Sequence, residues 1–319
     1  MNASIRDFTS EDYPACVRIT NAVYPDHVET EEDWRYYDEH RESKTRFRRW
    51  VAVKDADVVG WAQYDQHPWM YHPRKYYFHA QVLPPNDRQG IGSALFETVG
   101  KTLADRDALM MRTSARESHP EALTFLKNRG FVEERRGWES ELDLAKFDAS
   151  PFAGTIDKVR GQGIRIITFA ELAAEDTDWK RRLHVLEVEC GRDVPRPDEY
   201  TPISFEFYEK EVLGDPRYLP DGAFVAVDGV NLVGMSQLWA SRGEAKLGIG
   251  LTGVLREYRG RGIATALKLK GIEYARARGA PAITTGNDTL NAPILAINVK
   301  MGFKRKPVWV HMAKALKEG

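Results

Sequence analysis

The segment Arg259-Gly-Arg-Gly-Ile-Ala264 holds the residues of this chain best suited to bind an anion. Two glycines in a short turn leave backbone N–H groups uncovered, and a helix start behind them adds the positive end of its dipole. That combination suits a phosphate. Arg259 and Arg261 add guanidinium groups that can pair with phosphate oxygens. Three phosphate-binding designs compete for this reading. A P-loop run, G-x-x-x-x-G-K-[ST], does not occur in the chain. A dinucleotide fingerprint, G-x-G-x-x-G, occurs as GIGLTG from Gly248 to Gly253, but inside a strand-like segment instead of at a helix start, so it reads as a chance match. The third design, [RQ]-x-x-G-x-[GA] directly after a strand, is met in full by Arg259 to Ala264.

The elements that must position this turn are legible around it. AKLGIGLTGVL before it reads as a strand. Behind it, Ile263, Leu267, Gly271, Tyr274 and Ala275 recur at helical spacing, and Gly279 is placed to end the helix. A weaker version of the same device lies earlier, as DRQGIG from Asp87 to Gly92. Gly90 and Gly262 are 172 positions apart, and so are Gly130 and Gly302 of the two Gly-Phe pairs. Upstream, VVGW (Val58 to Trp61) answers LVGM (Leu232 to Met235), and IRDFT (Ile5 to Thr9) answers IRIIT (Ile164 to Thr168). An unchanged offset from turn to Gly-Phe argues for an internal duplication, with insertions upstream in the second copy.

Each copy reads in the same order: a strand, a helical region, a hairpin with a tight polar turn (KDAD, DGVN), a strand into the glycine turn, a helix, a strand, a short helix and a last strand. The expected fold is therefore α/β in the α+β sense: two tandem domains, each a mixed, mostly antiparallel sheet flanked by helices. The expected bounds are 1–148, a linker at 149–162 containing Pro151, and 163–319.

Bulk composition narrows the function classes. A formal net charge of −1 gives no global attraction to nucleic acid or to an anionic membrane, so neither is expected as a partner. Cys16 and Cys190 are too few and too far apart for a disulfide framework, which fits a cytoplasmic protein. No apolar run reaches the length that spans a bilayer, and the start lacks a secretory leader. His67, His72 and His79 have no standard metal spacing, so no metal is expected.

The turn, its spacing to Gly-Phe, the ending Asn291 to Phe303 (NAPILAINVKMGF) and the duplication together resemble the GNAT superfamily of N-acetyltransferases, in its tandem form, to which the mycothiol synthases belong. The resemblance covers nearly the whole chain. It implies an enzyme that moves an acetyl or other short acyl group from acyl-coenzyme A, its cosubstrate, to an amine by direct transfer, the acceptor being a small molecule. It also implies that Arg259, Gly260, Arg261, Gly262, Ile263 and Ala264 hold the pyrophosphate, that Thr252 and Val254 pair with the pantetheine arm, and that Asn291 and Asn298 lie nearby. Val82, Arg88, Gln89, Gly90, Ile91, Gly92 and Ser93 are the first-copy counterparts. The other readings are a non-catalytic acyl-coenzyme A sensor and a protein or peptide N-acetyltransferase.

The copies depart from the family pattern in places. Asp87 stands where the second copy has Arg259, which sets a carboxylate beside a pyrophosphate site. The tyrosine that protonates the leaving thiolate in many members is Asn298 in the second copy and Leu126 in the first. Asn298 can hydrogen-bond there but is no acid. The strand before the second turn has no carboxylate; the first-copy strand offers Tyr76 and His79 as base candidates. Glu206, in the expanded helical region of the second copy, is the acceptor contact expected from position. The second copy is the expected catalytic half.

Overall fold

The computed structural model describes residues 3–241 and 243–317. In chain order the main elements are β1 (Ser4–Asp7), α1 (Tyr13–Val23), α2 (Glu31–Glu39), β2 (Arg48–Lys54), β3 (Asp57–Asp65), β4 (Lys75–Val82), α3 (Ile91–Ala104), β5 (Met110–Arg116), α4 (Pro120–Lys127) and β6 (Val132–Asp143). There follow α5 (Thr155–Arg160), β7 (Ile164–Thr168), α6 (Phe169–Glu175), α7 (Trp179–Arg192), α8 (Phe205–Phe207), β8 (Tyr218–Asp228), β9 (Asn231–Ala240), β10 (Leu247–Val254), α9 (Ile263–Ala277), β11 (Ala282–Asp288), α10 (Ala292–Met301) and β12 (Lys304–Ala315). Both expected hairpins form. Asp55 and Ala56 take positive φ in the turn between β2 and β3, and Gly229 does so between β8 and β9. A register shift falls at Ala52/Val53 in one hairpin and at the matching Ala226/Val227 in the other, so the copies share even their irregularity.

The chain forms two compact units whose bounds differ from the sequence expectation. Unit 1 comprises 1–135 and 309–319; unit 2 comprises 136–308. The difference lies in the last strand of each copy. In unit 1, β5 pairs antiparallel with β12, from Trp309 opposite Arg116 to Ala315 opposite Met110. In unit 2, β11 pairs antiparallel with β6, from Ala282 opposite Asp143 to Asp288 opposite Gly137. Each sheet is completed by the strand that follows the Gly-Phe of the other sequence copy. Residues 149–162, expected as a linker, instead form a 3₁₀ turn (Ser150–Phe152) and α5, and Phe152 and Val159 are buried in the cores of unit 2.

Within each unit the sheets are antiparallel except at one seam: β4 runs parallel to β5, and β10 parallel to β11. A parallel pair needs a crossover, and α3 and α9 supply it after the glycine turns. Helix α9 settles on its sheet through Ile263, Ala266 and Leu267, which pack with Val159, Ile164, Phe224, Val233 and Val254. Burial of each such large side chain stabilises by about 1.5–3 kcal/mol, enough to hold the helix start against the strand end. On the other flank, α6 and α7 cover a cluster of Phe169, Leu183, Leu186, Cys190, Tyr208, Ala223, Val225 and Met235.

Because the last strands are exchanged, the halves of the sequence are not self-sufficient. A fragment ending at residue 148 leaves β5 without β12 and carries β6 without β11. Fragments 1–148 and 149–319 are expected to be aggregation-prone alone and to recover native circular dichroism only when mixed. A soluble, cooperatively melting 1–148 fragment would show that the exchange is not needed for folding.

Candidate active site

The parallel seam opens in both units. In unit 2, β10 pairs with β11 only at Leu247, Gly248 and Ile249, while it stays paired with β9 as far as Val254. From Gly250 to Val254 one edge of β10 therefore faces away from any strand partner. The β9–β10 ladder also shifts register between Ile249 and Thr252, a bulge opposite Gln237. Bulges re-aim backbone groups and recur beside active sites. In unit 1 the opening is similar, with pairing of β4 to β5 only from Lys75 to Tyr77. The β3–β4 ladder, however, runs without a shift from Gly60–Val82 to Asp65–Tyr77.

Two of the three glycines of GIGLTG are explained by packing. A Cβ at Gly253 would sit 2.4 Å from the Cys190 Cβ of α7, and one at Gly250 would sit 2.6 Å from the Trp239 Nε1. Gly248 meets only the Thr284 hydroxyl, at 3.8 Å. The glycines let α7 and the Trp239 ring close on β10; they cradle no dinucleotide.

At the turn, Gly260 and Gly262 take φ of 76° and 86°, and no side chain caps the first turn of α9. A Cβ at Gly260 would meet nothing within 4 Å. The first N–H groups of α9 thus face open space at the positive end of a 15-residue helix. These features fit a pyrophosphate. Arg259 is held: its Nε donates to the Val254 carbonyl at 3.0 Å and its Nη2 to Asp193, which also accepts from Arg256. Hydrogen bonds from Arg256 first, and then Arg259, bring the Asp193 carboxyl down to about 2. Arg261 lies over the Tyr258 ring at 4.7 Å and is exposed.

The corresponding turn of unit 1 keeps the backbone but changes the chemistry. Arg88 holds φ of 60° where unit 2 has Gly260, a conformation that costs a side-chain-bearing residue about 1–2 kcal/mol. Loss of hydration, and then the Glu121 carboxylate, raise the Asp87 carboxyl above its usual range. The Phe125 ring lies 3.6 Å from where a Gly92 Cβ would stand, a point 3.9 Å from the Val82 side chain. Arg129 stacks on Phe125 at 3.5 Å and donates to the Ser93 hydroxyl at 2.6 Å. Gln89 accepts from Lys54 at 2.8 Å, and Ile91 is buried. Phe125 and Arg129 thus stand beside the helix start of unit 1, while a Cβ at Gly90 of its turn would meet nothing within 4 Å.

Beside the bulge of unit 2 lies a half-buried carboxylate, Glu187 of α7. Gln237 donates to it at 3.1 Å, with the Tyr208 hydroxyl against it. The Gln237 Oε1 in turn lies 3.5 Å from the position of a Gly250 Cβ, so one side chain spans from bulge to carboxylate. Burial raises the Glu187 carboxyl to about 7, against the opposing pull of the Gln237 hydrogen bond and then of the nearby Tyr208 hydroxyl. The Tyr218 ring lies 5.8 Å from that of Trp239, tilted by 55°, and its hydroxyl has no hydrogen-bond partner among the described residues. Burial pushes both thiols, Cys16 and Cys190, up to about 12, which leaves neither a nucleophile.

The profile of the acetyltransferase (GNAT) family matches residues 5–131 and again residues 181–303. The chain belongs to that family. GNAT enzymes use acetyl-coenzyme A as cosubstrate, and the chain is accordingly an acetyl-coenzyme A-dependent N-acetyltransferase of the tandem type. Among curated proteins it is similar to a mycothiol acetyltransferase of Catenulispora acidiphila, 24% identical over 70% of this chain and 68% of that one. One of Thermobifida fusca is 25% identical over 70% and 69%. Its fold is that of a GNAT N-acetyltransferase from Sphaerobacter thermophilus (TM-score 0.75, 21% identity, 99% and 96% covered). It is equally that of a tandem GNAT protein from the clavulanic acid biosynthesis pathway (TM-score 0.76, 19% identity, 99% of each chain covered).

Against the GNAT pattern, Thr252, Val254 and the run Arg259 to Ala264 line one strand end and one helix start. The Thr252 hydroxyl shares a 2.9 Å hydrogen bond with Ser236. Asn298 is buried in α10, where its amide donates to Asn287 of β11 at 2.8 Å and its Oδ1 is unpartnered. Asn291 stands at the N-cap position of the same helix, without a side-chain capping bond. Glu206 is exposed on α8. Tyr76 is buried, and its hydroxyl donates to the Pro73 carbonyl at 3.0 Å. His79 faces Asp65 at 3.5 Å. Among the described residues no group of three or more His, Cys, Asp or Glu is placed to hold a metal, and no helix is long and apolar enough to cross a membrane.

Sequence reasoning missed Glu187, Gln237 and Phe125. Glu187 sits in a charged helical stretch where acids are common, and no spacing marks it; only the fold brings Gln237 beneath it. The tight fit of α7 on β10 gives a direct check. Gly253→Ala is expected to destabilise by about 1–3 kcal/mol through overpacking on Cys190, and Gly253→Ala with Cys190→Ala to recover part of it, both read from denaturant melts.

Proposed function

We propose that unit 2 transfers an acetyl or other short acyl group from acyl-coenzyme A to an amine of a small molecule, with Glu187 as the base. The observation that carries this reading is the Glu187 carboxylate, linked through Gln237 to the β10 bulge and raised to about 7 by burial. A base with that pKa is half ionised near neutral pH, where it serves best. The coenzyme supplies the acyl thioester. The uncovered N–H groups at Gly260 to Ala264 would hold its pyrophosphate, and the open edge of β10 from Gly250 to Val254 its arm. Arg259 acts mainly through the turn, which it pins to Val254 and Asp193. Glu187 takes the proton from the incoming ammonium and frees its lone pair. A backbone N–H at the bulge supports the charge that develops on the carbonyl oxygen. Asn298 donates no proton, so the leaving thiolate takes one from solvent.

The small-molecule acceptor is favoured by the walls near Glu187. Tyr208 is fully buried and Tyr218 and Trp239 are partly so, and these rings beside the carboxylate support a small acceptor. The mycothiol acetyltransferases to which the chain is similar are in keeping with such an acceptor. Unit 1 has Asp87 at its turn and Phe125 and Arg129 against its helix start, and its role is to complete the fold.

Two outcomes are expected. Glu187→Gln should lower kcat by about 10²–10⁴-fold and abolish the rise of rate with pH centred near 7, measured as thiol release with a panel of small amines. A variant with an unchanged profile would remove Glu187 from the reaction. Calorimetric titration should give one acetyl-coenzyme A per chain, and Asp87→Arg should leave that number at one, because Phe125 and Arg129 still stand against the helix start at Gly92 and Ser93. Two equivalents would overturn the assignment of roles to the units.

A further inference from the structure

Lysine 268 lies in α9, one helical turn beyond Ala264 and on the same face. It is 3% exposed, and its Nζ has no hydrogen-bond partner. Its one directional contact is with the Phe303 ring, 5.2 Å away. Burial alone lowers its ammonium to about 7, with no carboxylate contributing. A buried amine without a partner costs stability, and lysine is seldom fully buried unless paired. Such a group is retained where something else satisfies it.

Unit 1 shows what this place looks like when it is only core. The constant offset makes Phe96 the counterpart of Lys268, and strand register makes Phe78 the counterpart of Ile249, since they face Tyr64 and Leu238 in the two hairpins. Phe125 corresponds to Ile297 and Phe131 to Phe303. In unit 1 the Phe96 ring meets Phe78, Phe131 and Phe125 edge-on at 5.5, 6.2 and 6.3 Å. In unit 2 three of these four rings are replaced, by Ile249, Lys268 and Ile297. Flat rings that fill the wedge between strand, helix and helix in one unit give way in the other to narrower side chains and one unsatisfied donor.

We propose that Lys268 is a positioning residue for the acyl donor: its Nζ donates to an amide carbonyl of the pantetheine arm as the arm lies along the open edge of β10. The arm is mostly apolar but carries two amides, so an apolar slot with a single donor matches its chemistry. The donor side of Lys268 has no other use in unit 2. This inference rests on the reading of unit 2 as the acyl-coenzyme A site.

The test is calorimetry with two ligands on wild type and Lys268→Met, which keeps the length and removes the donor. Acetyl-coenzyme A should bind the variant about tenfold more weakly, the worth of one hydrogen bond into a buried site. 3′-Phospho-ADP, which carries the nucleotide and pyrophosphate but no arm, should bind both proteins equally. The unliganded variant should melt at a higher temperature than wild type, because a methionine belongs in that core and an unpaired amine does not. Equal acetyl-coenzyme A affinity in the two proteins overturns the proposal, and so does an equal loss for both ligands. A lower melting temperature together with unchanged selectivity between the ligands assigns Lys268 to structure alone. Failure of wild type to bind acetyl-coenzyme A overturns the reading of unit 2 itself, and this inference with it.

Discussion

The parting of β10 from β11 after Ile249 is the constraint on which the site depends. A strand inside a sheet normally has both edges paired, since buried backbone N–H and C=O groups are costly to leave unmet. Here β9 holds one edge to the end while the other goes free for five residues, Gly250 to Val254. The opening persists because both flanks are fixed independently. Cys190 of α7 presses on Gly253 from one face, and Ile263 of α9 packs against Val254 from the other. The turn that follows is pinned by Arg259 to the Val254 carbonyl and to Asp193 at the end of α7. A helix, a strand end and a glycine turn are therefore one mechanical piece.

Duplication gave the chain two such pieces, and the physical differences between them are small and local. Both open the seam, both start a helix behind a left-handed residue, and both bury the same kind of cluster beneath that helix. Unit 1 sets Phe125 and Arg129 against its helix start, places Asp87 near Glu121, and keeps its β3–β4 ladder in register. Unit 2 has a bulge where that ladder is regular, Gly260 where unit 1 has Arg88 and the buried amine of Lys268 where unit 1 has Phe96, with the half-buried Glu187 beside the bulge. Stability favours the first arrangement, since packed rings cost nothing to bury. The second keeps unsatisfied groups that only a ligand can complete, which is the usual price of a binding site.

Much of this was legible in the residues. The glycine turns, the hairpins, the helix behind each turn and the Gly-Phe ending are local signals, carried by residue type and spacing of a few positions. That made the fold class and the family resemblance readable, and Asp87 against Arg259 already marked the two halves as unequal. The role of Arg259 was less visible. Its neighbours in sequence suggest a phosphate ligand, whereas its partners Asp193 and Val254 make it a brace.

By itself, then, the sequence determined the repeated unit, its order of elements and the turn that could hold an anion, because each follows from short-range periodicity and from glycine's freedom at positive φ. Only the tertiary structure decided which strand completes which sheet, since β6 and β12 carry no local mark of their partners. It also decided what stands beside the bulge. Glu187 and Gln237 are 50 residues apart in the chain, and Lys268 is an ordinary helical lysine until α9 is laid against Phe303. Burial, which raises the acid and lowers the amine, is a property of packing that no single stretch of sequence contains.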